Sequence, residues 1–404
     1  CKFVKIDKGK NMLFDFHHID IIGINMSVIN NTVGPLFDSY YCHTINIHSL
    51  VISNIEKVFG YLAEFKVLYS HIIFIENVHT KNLIETAFFL TEVHILKIQK
   101  SKFISSPCTF KIQENVKARV TVYVVNNRFV KCAHKWRGGV LSITVRYLKN
   151  ASPDEKKLKS FKKMTIFISK TMFGTCYSYA HGAAIYVWGE TTASPLNANV
   201  TIYINDSIFV NNRGKSEGGA VFFIRIETVL INACKFIHND AGKGGAARLY
   251  SIMSAKFMHN QFISNKANTA GGALSLDKIE SLIIQNVRFY HNSAQNAGAI
   301  ATENNQKCYI VHCVFSHNNV THSSGAVHIR QCFTLLITGT TFTRNTGVVY
   351  GRALYITGCK NARVGVSQGG ESVNVIIPVN VTVYINNSLF INNKAKRENG
   401  VVLI

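Results

Sequence analysis

Residues 261–276 decide the fold, and they read QFISNKANTAGGALSL. Phe262 is followed three residues later by Asn265, and a polar stretch then leads to a Gly-Gly-Ala element at residues 271–273. The same pair recurs at Phe209 and Asn212, Phe236 and Asn239, Phe289 and Asn292, Phe315 and Asn318, and Phe342 and Asn345. A similar small-residue element follows each pair, at residues 218–220, 244–246, 298–299, 325–326 and 351–353. Because the six Phe residues are spaced by 27, 26, 27, 26 and 27 residues, the chain contains the internal repeat of a solenoid.

The local pattern within each repeat is that of short strands. Ile283 and Ile284 precede the Phe, while Leu274 and Leu276 follow the Ala at a period of two residues. Repeats of 26 to 27 residues with Gly-rich bends and no helical stripe predict an all-β fold, a right-handed parallel β-helix.

Stacked coils of such a solenoid lie about 4.8 Å apart, so each recurring residue becomes a column. We expect the Phe column to form an internal aromatic ladder. The Asn column should form an amide ladder at a tight bend, because Asn tolerates left-handed backbone and bonds the chain above and below. The Gly-Gly-Ala element should form the next corner, where a larger side chain would collide with the neighbouring coil.

The repeat divides the chain into two parts. Residues 129–404 are predicted to be regular coils, in which Phe129, Phe173 and Phe390 carry weaker copies of the pair. Residues 1–128 are predicted to be degenerate coils, with short β-branched runs around Ile47, Ile72 and Ile95. Insertions interrupt the period near residues 145–163, 188–196 and 358–379. Since all three fall in the same segment of the coil, they should emerge along one edge.

The Phe-x-x-Asn pair followed by Gly-Gly-Ala resembles the repeat of the chlamydial polymorphic outer membrane proteins. Right-handed β-helix proteins of eukaryotes carry a similar motif. The resemblance covers residues 129–404 well and residues 1–128 poorly. It implies a pectin-lyase-like fold and a role in adhesion or surface display, whereas the motif itself specifies no activity.

Composition indicates a folded, strongly basic protein. The chain is 47% hydrophobic and 16% charged, which excludes a disordered protein, and its net charge is +22. We therefore expect attraction to polyanions such as acidic polysaccharides. Neither a membrane span nor a signal peptide is recognisable, and a start at Cys1 with an end at Ile404 in mid-pattern predicts a piece of a longer chain.

A lysine-rich insertion is the predicted binding surface. Its alternative interpretation is an ordinary solvated loop. The predicted binding residues are Arg146, Lys149, Lys156, Lys157, Lys159, Lys162 and Lys163.

Two pairs of cysteines fall at equivalent positions of successive coils. Cys132 pairs with Cys176, and Cys332 with Cys359, so both pairs meet the separation of a disulfide. The alternative is a stack of buried thiols. Disulfides would indicate an oxidising compartment, and glycosylation sequons agree with secretion or surface display. The sequons begin at Asn25, Asn30, Asn150, Asn199, Asn205, Asn319, Asn380 and Asn386.

One outward column could carry chemistry. Asp277, Glu303 and Arg330 occupy the fourth position after the Ala in three successive coils, with Arg248 and His328 two positions nearer. Two carboxylates beside a cation could cleave a glycoside, or hold calcium while an arginine abstracts a proton from a uronic acid, as the resemblance to pectate-lyase-like enzymes implies. The alternative is an exposed ladder of ion pairs.

A second column, two residues after the Phe, contains His238, His291 and His317. These side chains could share a metal ion, but we expect solvated bend residues and no metal site or cofactor.

Three functions remain open. The preferred hypothesis is a secreted or cell-surface scaffold that adheres to surface proteins or binds acidic glycans. A polysaccharide lyase or glycoside hydrolase, with calcium if a lyase, is the second. A structural spacer without a ligand is the third. No module for sequence-specific nucleic-acid recognition is present in the sequence.

Overall fold

The structure is a computed structural model in which the described residues form only strands and turns. It describes residues 14–17, 21–25, 28–30, 37–53, 63–83, 86–105, 110–115, 119–134, 137–146, 163–190, 198–322, 325–348, 353–357, 361–362, 383–395 and 402–403. Within these ranges there is no helix, and neighbouring coils pair in parallel. The predicted parallel β-helix is therefore confirmed.

Three parallel sheets run along the solenoid. The wide sheet contains the strands Phe14–His17, Ile21–Asn25, Phe37–Tyr40, Thr44–His48, Ala63–Leu68, Ile72–Glu76, Thr86–Thr91, Ile95–Gln99, Phe110–Asn115, Val120–Val125, Leu141–Arg146, Met164–Ser169, Ile185–Glu190, Ala198–Asn205, Val221–Asn232, Ala247–Met258, Leu274–Gln285, Ile300–Val311, Val327–Thr338, Leu354–Thr357, Asn361–Ala362, Val383–Asn386 and Val402–Leu403. The narrow sheet contains Val28–Asn30, Val51–Ser53, His79–Lys81, Lys102–Ile104, Arg128–Val130, Met172–Gly174, Ile208–Val210, Lys235–Ile237, Gln261–Ile263, Arg288–Tyr290, Val314–Ser316, Thr341–Thr343 and Leu389–Ile391. The third sheet contains Ala133–His134, Tyr177–Ser178, Arg213–Glu217, Asp240–Lys243, Lys266–Ala270, Ser293–Ala294, Asn319–Val320, Thr346–Gly347 and Lys394–Ala395.

The repeat phenylalanines form a continuous stack on the inward side of the narrow sheet. Neighbouring ring centroids from Phe103 to Phe390 lie 4.6 to 5.2 Å apart, and the rings are nearly parallel. Phe209, Phe262 and Phe342 are completely buried. Each stacked pair contributes about 0.5–1.5 kcal/mol beyond the burial of apolar area. The ladder is therefore confirmed, and it begins at Phe103, one coil before the first copy recognised in the sequence.

The asparagines three residues later form the predicted amide ladder. Asn265 accepts hydrogen bonds from the backbone and side-chain amides of Asn239, and its own Nδ2 donates to Phe236 O and Asn292 Oδ1, all at 2.9–3.0 Å. The left-handed residue, however, is the one before each Asn, such as Ser264 with φ 52°. The prediction of left-handed asparagines was wrong, because the preceding residue makes the bend and the Asn then points into the core.

The two glycines of each corner have different functions. Gly271 has a φ of +66°, which an L-residue adopts only with strain. A Cβ on Gly272 would lie 2.0 Å from the carbonyl oxygen of Gly298 in the next coil. The first glycine therefore makes the turn, and the second allows the coils to approach. In the following coil Ala297 takes the left-handed position with φ 57°.

A second buried polar column lies at the bend before the narrow sheet, and the sequence repeat did not reveal it. The backbone N–H of Ser101 donates to Asn127 Oδ1 at 2.9 Å, and the N–H of Cys234 donates to Asn260 Oδ1 at 2.8 Å. Side chains of this column satisfy backbone groups of adjacent coils, as buried polar groups require. The column contains Ser101, Asn127, Thr171, Ser207, Cys234, Asn260, Cys313, Thr340 and Ser388.

No disulfide joins Cys132 to Cys176 in the structure. Both side chains are buried on adjacent coils, and burial, followed by the hydrogen bond with Cys132, raises the pKa of the Cys176 thiol. Cys332 is likewise a buried thiol, and Cys359 lies outside the described residues. The spacing that suits a bridge also suits two small core side chains, so the bridges stay predictions.

The described flanks of the first two insertions meet at one corner of the wide sheet. Residues 147–162 and 191–197 fall outside the described ranges and follow strands that end at the paired residues Arg146 and Glu190. Residues 358–360 and 363–382 also fall outside these ranges, and the strand Asn361–Ala362 between them lies beyond the corner, because Asn361 pairs with Thr334. In the regular coils the same corner is made by a left-handed residue within a 12-residue strand, such as Lys278 with φ 56°. Of the predicted binding residues, Lys163 is described in full, the backbone alone is described for Arg146, and the other five lysines fall outside the described ranges.

Candidate functional site

The predicted outward column lies beside a depression in the wide sheet. Ser275 and Ala301 are paired on adjacent strands and form its floor. Larger side chains close both ends, since Arg248 precedes Ser275 in the same column and His328 follows Ala301. We call this depression the notch: a floor of Ser275 and Ala301, ends at Arg248 and His328, and one side formed by Asp277 and Glu303. Its volume is about 360 Å³, within the usual range of ligand pockets.

The first end of the notch is a buried arginine with two carboxylate neighbours. The Arg248 side chain is only 9% exposed, and its Nη2 lies 3.5 Å from Asp277 Oδ2 while its Nε lies 3.7 Å from Glu217 Oε1. Nη1 donates to Ser275 Oγ at 3.3 Å. Both carboxylates are beyond good hydrogen-bond distance, and Nε has no hydrogen-bond partner among the described residues. The guanidinium is neutralised but under-bonded.

The other end of the notch combines an imidazole with a looser ion pair. Burial, followed by the positive charge of Arg330, lowers the pKa of His328 to about 4, so this ring is neutral at physiological pH. Its Nε2 is buried and has no hydrogen-bond partner among the described residues, and the ring stacks on Tyr355 with centroids 4.7 Å apart. At the rim, Arg330 Nη1 lies 3.4 Å from Glu303 Oε1, with both side chains well exposed.

The two carboxylates of the predicted column are held by cations. Asp277 lies beside Arg248 and accepts a hydrogen bond from Asn304 Nδ2 at 3.2 Å, and Glu303 lies beside Arg330. A glycosidase aims its two carboxyl groups at the scissile bond, whereas both carboxylates of this column already contact an arginine. The described residues also contain no group of three or more His, Cys, Asp or Glu that could hold a metal ion.

The histidine column predicted as bend residues is exposed. His238, His291 and His317 all have a left-handed φ near 54°, with values of 53°, 55° and 55°. The rings of His291 and His317 stack with centroids 4.9 Å apart. Desolvation, followed by the charges of His291 and Arg344, lowers the pKa of His317.

A longer basic surface lies on the outer side of the narrow sheet and of the bend that joins it to the third sheet, where Arg213, Lys266 and Lys394 begin their strands. We call it the basic strip, and define it in each coil as the six residues from the one before the ladder position to the one after the Asn or its equivalent. Its cations are Lys81, Lys102, Arg128, Lys131, Arg213, Lys235, Lys266, Arg288, Arg344 and Lys394, all exposed. Among the strip residues that the structure describes, Asp240 is the only acid, and it lies 3.1 Å from Arg213.

The strip follows from the arrangement of the coils. The ladder Phe must point inward, so the residue before it, such as Lys102, Lys235 or Arg288, must point outward. A cation at the left-handed bend, as at Lys131 and Arg344, extends the same surface. Neighbouring coils stack at roughly 4.8 Å, so the strip extends about 50 Å along the solenoid. The strip is not evident from the sequence because its cations alternate among four columns and no single column is consistently basic.

The notch was only partly recognised from the sequence. The column of Asp277, Glu303 and Arg330, with Arg248 and His328 beside it, is brought together as predicted. The floor was missed, as were Lys243 and Asn296 on the opposite side. The signal was present: Ser275 and Ala301 are small residues in successive coils of a column that elsewhere holds Tyr186, Phe222 and Tyr355.

Comparison of the chain with protein-family models, with curated proteins and with solved structures finds no match. Within the described ranges, no helix is long and apolar enough to cross a membrane.

Proposed function

We propose that this protein is an extracellular or cell-surface β-helix scaffold that binds acidic glycans along the basic strip. The basic strip is the observation that supports this function. A row of exposed cations with one paired acid gives a positive potential along one side of a rigid rod, and a chain of repeated negative charges matches it.

The strip suits a glycan better than a nucleic acid. Proteins that bind single strands stack successive bases on exposed aromatic side chains, but the phenylalanines of the narrow sheet are buried in the ladder, and the two tyrosines of the described strip, Tyr177 and Tyr290, are partly buried. Duplex DNA is read by an element that enters a groove, and the described residues offer only a flat sheet at this surface. A flat row of cations can contact the carboxylates and sulfates of an acidic glycan without stacking on a base or entering a groove.

The test is retention of the protein on immobilised polysaccharides. We expect binding to an acidic polysaccharide, none to a neutral one of equal length, and loss of binding at high salt because the exposed charges are screened. The variant Lys235→Gln, Lys266→Gln, Arg288→Gln should bind about tenfold more weakly, since it removes neighbouring charges from the strip.

The matched control removes the same charge elsewhere. Lys97→Gln, Lys256→Gln, Lys307→Gln changes three cations on the outer face of the wide sheet. Equal weakening in both triple variants would show that only net charge matters and would overturn the strip. Equal retention on duplex DNA would replace the glycan by any polyanion, and no retention at all would favour a structural spacer.

Chain cleavage is scored in the same samples, with and without calcium. Cleavage that is lost in Asp277→Asn would favour the lyase or glycosidase hypothesis instead. We expect intact polysaccharide, because both carboxylates of the column are paired with arginines.

A further inference from the structure

We infer that the notch is a second, specific binding site, which takes one carboxylate-bearing sugar unit. This inference rests on the proposed function for the class of ligand. The notch opens on the wide sheet, and the basic strip lies on the narrow sheet and its bend to the third sheet, so the two sites share no residue and can be tested separately.

The first observation is the state of Arg248. Its side chain is nine-tenths buried, yet its Nε has no hydrogen-bond partner among the described residues and the ion pairs on either side are 3.5 and 3.7 Å long. A buried guanidinium normally satisfies its donors, and an unmade bond of this kind costs free energy. A carboxylate in the notch would reach Nη1 and Nη2, which lie beside Ser275 and Asp277, and would supply the short, charge-assisted bonds that Asp277 does not make.

The second observation is at the opposite end. His328 Nε2 is also buried without a partner among the described residues, and the ring is neutral at physiological pH. A neutral imidazole nitrogen pairs with a hydroxyl in either tautomer, because a hydroxyl both donates and accepts. The two unmet groups therefore suit a ligand with a carboxylate at one end and hydroxyls at the other.

The third observation is the shape and lining of the space between them. The floor of Ser275 and Ala301 spans two coils, and Arg248 and His328 are three coil steps apart, or about 14 Å between backbones at roughly 4.8 Å per step. The side chains fill the ends, which leaves about 360 Å³. Asp277 and Glu303 along one side can accept hydrogen bonds from further hydroxyls, and Asn296 on the other side can donate or accept. Such a mixed lining fits a polyhydroxylated acid better than a simple anion.

The test uses a filled notch. Ala301→Phe places a large side chain on the floor without changing charge, and the column already accommodates Phe222 and Tyr186 on the same outer face. The variant should therefore fold. Arg248→Gln alone would not be decisive, because it leaves Asp277 and Glu217 without their cation and could destabilise the coil.

The probes are methyl glucuronoside, its carboxyl methyl ester and methyl glucoside, titrated into the full chain and followed by calorimetry or NMR. We expect saturable binding of the acid. The ester and the glucoside should bind at least tenfold more weakly, since a hydrogen bond to a charged group is worth roughly tenfold to a hundredfold in affinity. The variant Ala301→Phe should bind none of the three, because its side chain fills the notch. The strip variant Lys235→Gln, Lys266→Gln, Arg288→Gln should bind the monosaccharide normally.

Each of the other outcomes would overturn one part of the inference. Equal binding of the acid and the glucoside would remove the carboxylate from the inference. Unchanged binding in Ala301→Phe would place the sugar elsewhere. Polysaccharide retention through the strip with no monosaccharide binding would overturn the notch and leave the proposed function intact, whereas the reverse would overturn the proposed function and keep a sugar site.

Discussion

A single ladder asparagine connects three coils. Asn265 receives hydrogen bonds from the backbone and side chain of Asn239, donates to Asn292 and donates to the carbonyl of Phe236. It is completely buried, so each of these partners lacks water as an alternative. The residue therefore closes the corner for its own coil and for both neighbours.

Replacing that residue should be costly. Asn265→Ala leaves several buried polar groups unpaired, so we expect a loss of about 4 kcal/mol in the free energy of unfolding. The measurement is the urea midpoint followed by circular dichroism.

The control for this prediction is an exposed asparagine, Asn319, in the third-sheet strand Asn319–Val320. Asn319→Ala loses a surface contact with Thr346 and should cost less than about 1 kcal/mol. Comparable losses in both variants would show that the ladder contributes no more than an ordinary surface amide.

At the scale of the strand and the coil, predictability depends on whether a column repeats one residue type. The Phe and Asn columns repeat one type from Phe209 to Asn345, so the aromatic and amide ladders could be predicted. The left-handed position could not, because that column holds Asn211, His238 and Ser264. Asn also tolerates left-handed backbone, so the sequence alone does not distinguish the ladder Asn from the residue before it.

The remaining features depend on columns of mixed residue types, or on which residues of different columns fall in the same coil. The second polar column alternates among Ser, Asn, Thr and Cys, which share hydrogen-bonding capacity but no letter. The notch requires two small residues in the floor column and two carboxylates in the column two residues later, all in the same two coils. The charged column of Asp277 and Glu303 is evident from the sequence, but the depression beside it is visible only when the coils are stacked.

Buried cysteines in the polar column should make the stability depend on alkaline pH. Burial raises the pKa of Cys234 and Cys313 to about 12, from an ordinary value near 9, so the folded state favours the neutral thiol. The contribution of each buried thiol to the free energy of unfolding is complete below about pH 9. It is lost as pH rises towards 12, at about 1.4 kcal/mol per pH unit.

The comparison for this prediction is between the parent and the double variant Cys234→Ala, Cys313→Ala. Between pH 9 and 11 the free energy of unfolding of the double variant should fall less steeply than that of the parent. Other groups titrate equally in both proteins, so their contributions cancel in the difference. Parallel slopes would contradict the burial effect.

At the scale of the whole molecule, binding to the strip should be coupled to protons. The pKa of His317 is lowered by its desolvation and by the positive charges of His291 and Arg344. A bound polyanion would cancel that repulsion and raise the pKa, so protons are taken up on binding and affinity increases as pH falls from 7 to 5. Retention measured across this range checks the prediction.

The control histidine lies outside the strip. His317→Gln should reduce the increase in affinity at low pH, whereas His322→Gln should leave it unchanged. An increase that is equal in both variants and in the parent would assign the coupling to other groups.

The amide ladder also gives the solenoid an electrical direction. From Asn212 to Asn345 each Nδ2 donates to the Oδ1 of the asparagine in the following coil, so that the row ends at Asn393. The side-chain dipoles therefore add head to tail, as peptide dipoles do in a helix, and each one polarises the next. The two termini of the row carry opposite partial charges, so a further coil can extend the row only if its own amide points the same way.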